Sequence, residues 1–207
     1  MVRTAFMLMS ALALCATAPA ILASQAPAQP PAGRGGQQPA APAAPAMRLT
    51  TDAWPDGDPI PLKYTQAVPN PVSPQLTWTN VPPGTQSFVL HFHDPDVSRN
   101  RTTNDQVHWL FWNIPGTATG LPEGVPQGAQ LPDGSRQISA SGPVYRGPGA
   151  GAAGPMHHYT FEIYALDTVL TTQPGADEQE TRAAVMRDMN GHILGKAVYV
   201  GLFRRPQ

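Results

Sequence analysis

Cysteine is all but missing: Cys15 is the only one in 207 residues, which excludes an internal disulfide framework and any site built from several thiolates. Charge is scarce as well. Asp, Glu, Lys and Arg make up 13% of the chain, against about 25% in an ordinary globular domain. Thirteen basic residues against 14 acidic ones leave a net charge of −1, so no basic face for nucleic acid is expected. Long apolar runs are also lacking, since the run Ala5 to Ala16 is shorter than the roughly 20 residues of a membrane helix, and no transmembrane segment is expected. Turn-formers are abundant instead. Twenty-five prolines and 19 glycines, with aromatics at 7%, exclude an all-helical bundle and point to a loop-rich, mainly β fold. The length allows one domain, or at most two.

Arg3, the apolar run Ala5 to Ala16 and the small residues after it, with Ala18-Pro19-Ala20 and Ser24-Gln25-Ala26 as cleavage signals, read as a secretory signal peptide over residues 1–26. A periplasmic or secreted protein follows, with no cysteine in its mature form. Cys15 offers the alternative of a lipid-modified lipoprotein, which the bulky Leu14 before it opposes. Residues 27–46, PAQPPAGRGGQQPAAPAAPA, hold almost nothing to bury and read as a Pro/Ala/Gly-rich disordered linker. The folded domain is expected over 47–207, without internal repeats.

Within that domain, Ser87 to His93 alternates Phe88, Leu90 and Phe92 with Val89, His91 and His93, the period of a strand. Val107 to Ile114 is apolar on both faces apart from His108, as in a strand covered on both sides. His157 to Ala165 puts Tyr159, Phe161 and Ile163 on one face, and Ala197 to Phe203 reads as a closing strand. Gly142 to Pro155 is too rich in glycine and proline for regular structure and is expected as a long loop. Asp177 to Met189 carries acids first, arginines later and Asn190-Gly191 behind it, the signature of a helix.

Chemistry-bearing residues cluster at the ends of these strands: Asp94 and Asp96 after the first, His108 inside the second, His157 and Tyr159 opening the third. Taken together with their surroundings, they resemble the phosphatidylethanolamine-binding protein family, in its bacterial branch of Raf-kinase-inhibitor-like proteins. The resemblance rests on five ordered blocks. These are Ser73-Pro74-Gln75-Leu76-Thr77-Trp78 with Pro82-Pro83-Gly84-Thr85-Gln86-Ser87; Asp94-Pro95-Asp96; Val107-His108-Trp109 with Asn113-Ile114-Pro115; Tyr145-x-Gly147-Pro148 with His157-His158-Tyr159-Thr160-Phe161; and Gly191-His192-Ile193-Leu194-Gly195. It implies two packed antiparallel sheets with few peripheral helices, and a small anion pocket at one end lined by Asp94, His108, Gly147, Pro148, His157 and Tyr159, with Asp96 beside it. The expected ligand is a small anionic or zwitterionic one, such as phosphate or a phosphorylethanolamine-like head group. A homodimer is compatible with the resemblance. Neither cofactor nor metal is expected.

Protonated His108 and His157 would serve as anion donors, with binding strengthening as pH falls toward about 6.5. The sequence departs from the family pattern at Arg146 and at Gly149 to Gly154 (GAGAAG), which bears on pocket shape and ligand preference. Arg99 and Arg101 read as solvated loop charge. His91-x-His93 beside Asp94 reads as a pair of structural histidines, with a metal site as the alternative. No serine stands in a nucleophile-elbow context, so no catalytic residue is assigned. Two rival functions remain beside ligand binding: an inhibitor or interaction module acting on a protein partner of the protease or kinase class, and an acid–base enzyme using Asp94, His108 and His157.

Overall fold

The computed structural model describes residues 45–207; the expected signal peptide with Cys15, and all but the last two residues of the expected linker, lie outside the described residues. Eight strands and one α-helix follow in order: β1 (Arg48–Thr50), β2 (Leu76–Thr79), β3 (Ser87–Asp94), β4 (Gln106–Pro115), β5 (Gly120–Leu121), β6 (Arg136–Ile138), β7 (His157–Leu166), α1 (Glu178–Asp188) and β8 (Ile193–Phe203), with a 3-10 turn at Leu62–Tyr64. The fold is mainly β, as the composition and alternation predict.

Its centre is β3, which is buried along nearly its whole length and on both faces. It lies in the middle of a five-stranded antiparallel sheet ordered β6-β4-β3-β7-β8. A smaller antiparallel sheet, β1-β2-β5, contributes Leu49, Leu76 and Trp78 to a core shared with Phe88, Leu90, Phe92, Phe111 and Phe161. Phe92 and Phe161 are cross-strand partners whose rings stack 3.8 Å apart. Burial of each such side chain is worth about 1.5–3 kcal/mol, so this aromatic layer dominates the packing of the two sheets. On the opposite face Val89, Leu110, Trp112 and Leu166 share a second cluster with Val185 and Met189 at the helix.

The helix begins where its sequence says it should. Asp177 is its N-cap, accepting hydrogen bonds from Gln179 N at 2.8 Å and Glu180 N at 2.9 Å, which satisfies two of the otherwise unpaired first-turn amides. After the helix, Gly191 adopts a positive φ of 84°, where a side chain would be strained. The four expected strands appear as β3, β4, β7 and β8, the last beginning earlier than expected, at Ile193. Residues 143–156 form a loop without helix or strand. The short strands β1, β2, β5 and β6 were not foreseen from the sequence, because two to four residues carry too little alternation to register.

Strand β4 contains two irregularities that matter for the site. Phe92 pairs with Trp109 and His93 with Val107, so His108 is the extra residue of a bulge, a device that re-aims a side chain. Farther along, the register shifts again and Asn113 takes a left-handed φ of 56°. Among the described residues, no helix is long and apolar enough to cross a membrane.

Candidate ligand-binding site

Antiparallel pairing brings the end of β3 beside the beginnings of β4 and β7: Asp94 lies opposite Gln106, and His93 opposite Thr160. Three segments far apart in sequence thus meet at one end of the large sheet. There Asp94, His108, His157 and Tyr159 line a cavity of about 260 Å³, joined by Gln66, Arg146 and Gly149 to Gly151 among others. Four of the seven site residues expected from the sequence are therefore on the cavity wall.

Asp94 is buried, 2% exposed, and both its oxygens are engaged. Oδ1 accepts from the backbone N–H of Asp96 at 3.0 Å, closing the Asp-Pro-Asp turn, and Oδ2 accepts from His157 Nδ1 at 2.8 Å. A carboxylate can only accept, so the bond puts the proton on Nδ1 and leaves Nε2 as the other ring nitrogen available to a ligand. The pair forms an oriented carboxylate–imidazole dyad, with His157 more exposed than Asp94.

His108 departs from its expected role. Its Nδ1 lies 2.9 Å from the carbonyl oxygen of Arg146, which can only accept, so Nδ1 carries the proton. Burial, with the Arg146 charge beside it, pushes the imidazole pKa down to about 4. At neutral pH the ring is therefore uncharged and Nε2 is a bare acceptor. His108 is not the imidazolium donor that the sequence reading expects, and it cannot be the source of tighter anion binding near pH 6.5. The bulge tucks the ring among aromatics, 5.3 Å from Phe92 and 5.1 Å from Tyr159 between ring centres.

Tyr159 supplies the opposite polarity. Its hydroxyl oxygen accepts from the N–H groups of Gly149 at 3.1 Å and Ala150 at 2.9 Å, so its own proton is the one it donates, with the Asp94 carboxylate close by as an acceptor. Burial and the Asp94 charge push the phenol up to about 12, so the donor persists across the physiological range. Arg146 adds a permanent positive charge on the same wall. One of its terminal nitrogens donates to Ser141 Oγ at 2.6 Å, while its Nε is buried without a partner among the described residues.

The other three expected residues stand just outside the cavity. Asp96 is exposed on its flank, accepting from the backbone N–H of His158 at 2.6 Å and from His158 Nδ1 at 3.0 Å. That backbone bond, followed by the His158 ring, holds its carboxyl below the usual carboxylate range, and the contact pins the start of β7. Gly147 and Pro148 sit behind Gln66: the Gly147 carbonyl accepts from Gln66 Nε2 at 2.6 Å, and the Pro148 carbonyl from Gln66 N at 2.8 Å. Their part is to fix the loop that carries Arg146 and Gly149.

Gln66, Val97 and Gln106 also line the cavity without having been foreseen. Gln66 follows an irregular segment with no periodic signal, so nothing in its surroundings marks it. Arg146 was visible only as a departure from the family pattern. A larger groove of about 470 Å³ near Met47, Pro82 and Leu194 is built mostly of proline and aliphatic side chains and has Lys196 as its one ionisable side chain, so it lacks the convergent polar groups of a ligand site.

Known proteins resemble this chain along most of its described length. Residues 50–204 match the family described as phosphatidylethanolamine-binding protein. A UPF0098 protein of Methanothermobacter thermautotrophicus is 43% identical over 161 residues, covering 77% of this chain and 99% of the relative. A UPF0098 protein of Escherichia coli is 31% identical over 163 residues, covering 76% and 99%. Among solved structures, a phosphatidylethanolamine-binding protein homolog from Chlamydia trachomatis superposes with a TM-score of 0.63 at 30% identity, covering 78% of this chain and 99% of that one.

Proposed function

This chain belongs to the phosphatidylethanolamine-binding protein family, whose members bind small ligands, and from that membership we propose that it is an exported binding protein holding a ligand with a phosphoryl-type anion, without transforming it. The reading rests on one observation: Arg146 and Tyr159 line one cavity with the neutral ring of His108 and the Asp94–His157 dyad, and the Arg146 charge is near enough to act on His108. A cation and a phenol donor suit phosphoryl oxygens. The Asp94 charge does not oppose this strongly, because both its oxygens are already hydrogen-bonded.

His108 Nε2 asks for a ligand that brings its own proton, which a monohydrogen phosphate or an ammonium group does. A volume of about 260 Å³ lies below the roughly 300–1,000 Å³ of pockets for drug-sized molecules, so the occupant is of head-group size. The signal-type amino terminus, Arg3 with Ala5 to Ala16, supports export to the periplasm or outside the cell.

Isothermal titration with inorganic phosphate, phosphorylethanolamine and ethanolamine tests the reading. Both phosphates should bind and ethanolamine should not. Arg146→Ala and Tyr159→Phe should each weaken binding by roughly tenfold, the worth of one hydrogen bond of about 1.4 kcal/mol. Failure of both phosphates to bind, or binding indifferent to both substitutions, would move the function to the protein-partner alternative.

A further inference from the structure

The face of β3 turned away from the cavity carries a second polar cluster. His91 and His93 stack there with ring centres 4.2 Å apart at 10°, and His91 is only 4% exposed. Both ring nitrogens of His91 and Nε2 of His93 are buried without a hydrogen-bond partner, whereas buried polar groups are ordinarily paired. Glu162 of β7 reaches the same spot. Its Oε2 stands 3.7 Å from His91 Nδ1 and 3.9 Å from His93 Nε2, too far for hydrogen bonds yet close on both sides at once.

We propose that His91 Nδ1, His93 Nε2 and Glu162 Oε2 form a binding site for a divalent transition-metal ion of the zinc type, separate from the ligand cavity. Two imidazoles and a carboxylate are the donor set that such ions select over calcium or magnesium. Metal–ligand bonds of about 2.0–2.1 Å at tetrahedral angles put neighbouring ligand atoms about 3.3 Å apart. The two contacts to Glu162 therefore have to close by only about half an ångström, while the stacked rings turn out of parallel so that their lone pairs converge.

Two of the three ligands, His93 and Glu162, already have the outer partners that a metal site uses, while His91 Nε2 has none. His93 Nδ1 lies 2.6 Å from Asp105 Oδ2, which fixes the proton on Nδ1 and leaves Nε2 bare. Asp105 is held in turn by Arg182 of α1, and its carbonyl accepts from Gln179 Nε2 at 3.0 Å. Glu162 Oε1 accepts from Lys196 Nζ at 2.6 Å and Oε2 from the Tyr164 hydroxyl at 2.7 Å. Asp105 is the carboxylate whose ligand atom lies within 4.8 Å of one from each of His91 and His93, themselves within that distance of each other. Its bond to Nδ1 casts it as support and not as ligand.

The His93 and Glu162 side chains remain 13% and 18% exposed, which gives an ion a way in.

The full chain, dialysed against a chelator, is titrated with Zn²⁺ by calorimetry and with Co²⁺ by visible absorption. One ion per chain should bind, with the cobalt bands of a low-coordinate nitrogen-containing site. His93→Ala and Glu162→Gln should each weaken Zn²⁺ by about 100-fold or more, and Asp105→Asn by roughly tenfold, the lesser cost of losing an outer partner. Glu162→Gln is isosteric and partly exposed, so it keeps the fold even if His93→Ala does not, and the wild-type cobalt spectrum needs no variant. Absence of an ion from the wild type overturns the site. So does binding that survives Glu162→Gln and is lost in Asp94→Asn, which would place the ion in the cavity.

Discussion

At position 147 nothing larger than hydrogen fits: a Cβ there would stand 2.5 Å from the Tyr64 carbonyl oxygen and 2.9 Å from Thr65 Cα. Both neighbours are main chain and cannot swing aside. Gly147→Ala should therefore push the loop off its support and cost about 1–3 kcal/mol, read as a lower urea midpoint, and should weaken phosphate binding because Arg146 and Gly149 flank the strained position. An unchanged midpoint would show that the loop yields freely. At this scale the sequence is legible where a residue's chemistry sits in a recognisable block, as for Asp94, His108, His157 and Tyr159. The direction in which His108 uses its nitrogens is not legible. That depends on a carbonyl 38 positions away in the chain and on burial, neither of which leaves a local trace.

Among the elements, β4 shows what a strand does beyond pairing. At its second irregularity Asn113 Nδ2 donates to the Leu170 carbonyl at 2.8 Å, and Asn113 Oδ1 accepts from Leu170 N at 2.9 Å, so one side chain replaces two ladder bonds. Asn also tolerates the left-handed backbone better than most residues. Asn113→Gly keeps the backbone freedom but loses both bonds, whereas Asn113→Ala loses both and adds strain. Losses of about 2 kcal/mol for glycine and about 3 kcal/mol for alanine are expected in denaturant unfolding. Equal losses would remove the strain from the account. The long strands β3, β4 and β7 were readable because eight to ten residues repeat their alternation several times. The small sheet was not, because its members are short and are stabilised by covering β3, β4 and β7, a tertiary cause. The bulge at His108 was equally hidden, since it is a relation between two strands.

For the molecule as a whole, the buried neutral His108 couples stability to acidity. An unfolded histidine titrates near 6.5 and this one near 4 when folded, so between those values the unfolded chain holds one more proton. Stability should be independent of this group above about pH 6.5 and fall by about 1.4 kcal/mol per pH unit below it, levelling near pH 4. Urea midpoints measured in the presence of a chelator, for the wild type and for His108→Gln, check the effect: the variant should lose one proton's worth of slope. Parallel slopes would mean that His108 is already protonated in the native state. The loop beside that histidine is held almost entirely by backbone groups. The carbonyls of Arg146, Gly147, Pro148 and Ala150 and the amides of Gly149 and Ala150 make its attachments. Away from Gly147 and Gly149, where a side chain would collide, a path fixed by atoms common to every amino acid places few demands on the letters written along it, above all at the stretch Gly151 to Ala153. That stretch can drift or be diversified by selection while the scaffold holds still, and new ligand preferences can arise there without a new fold.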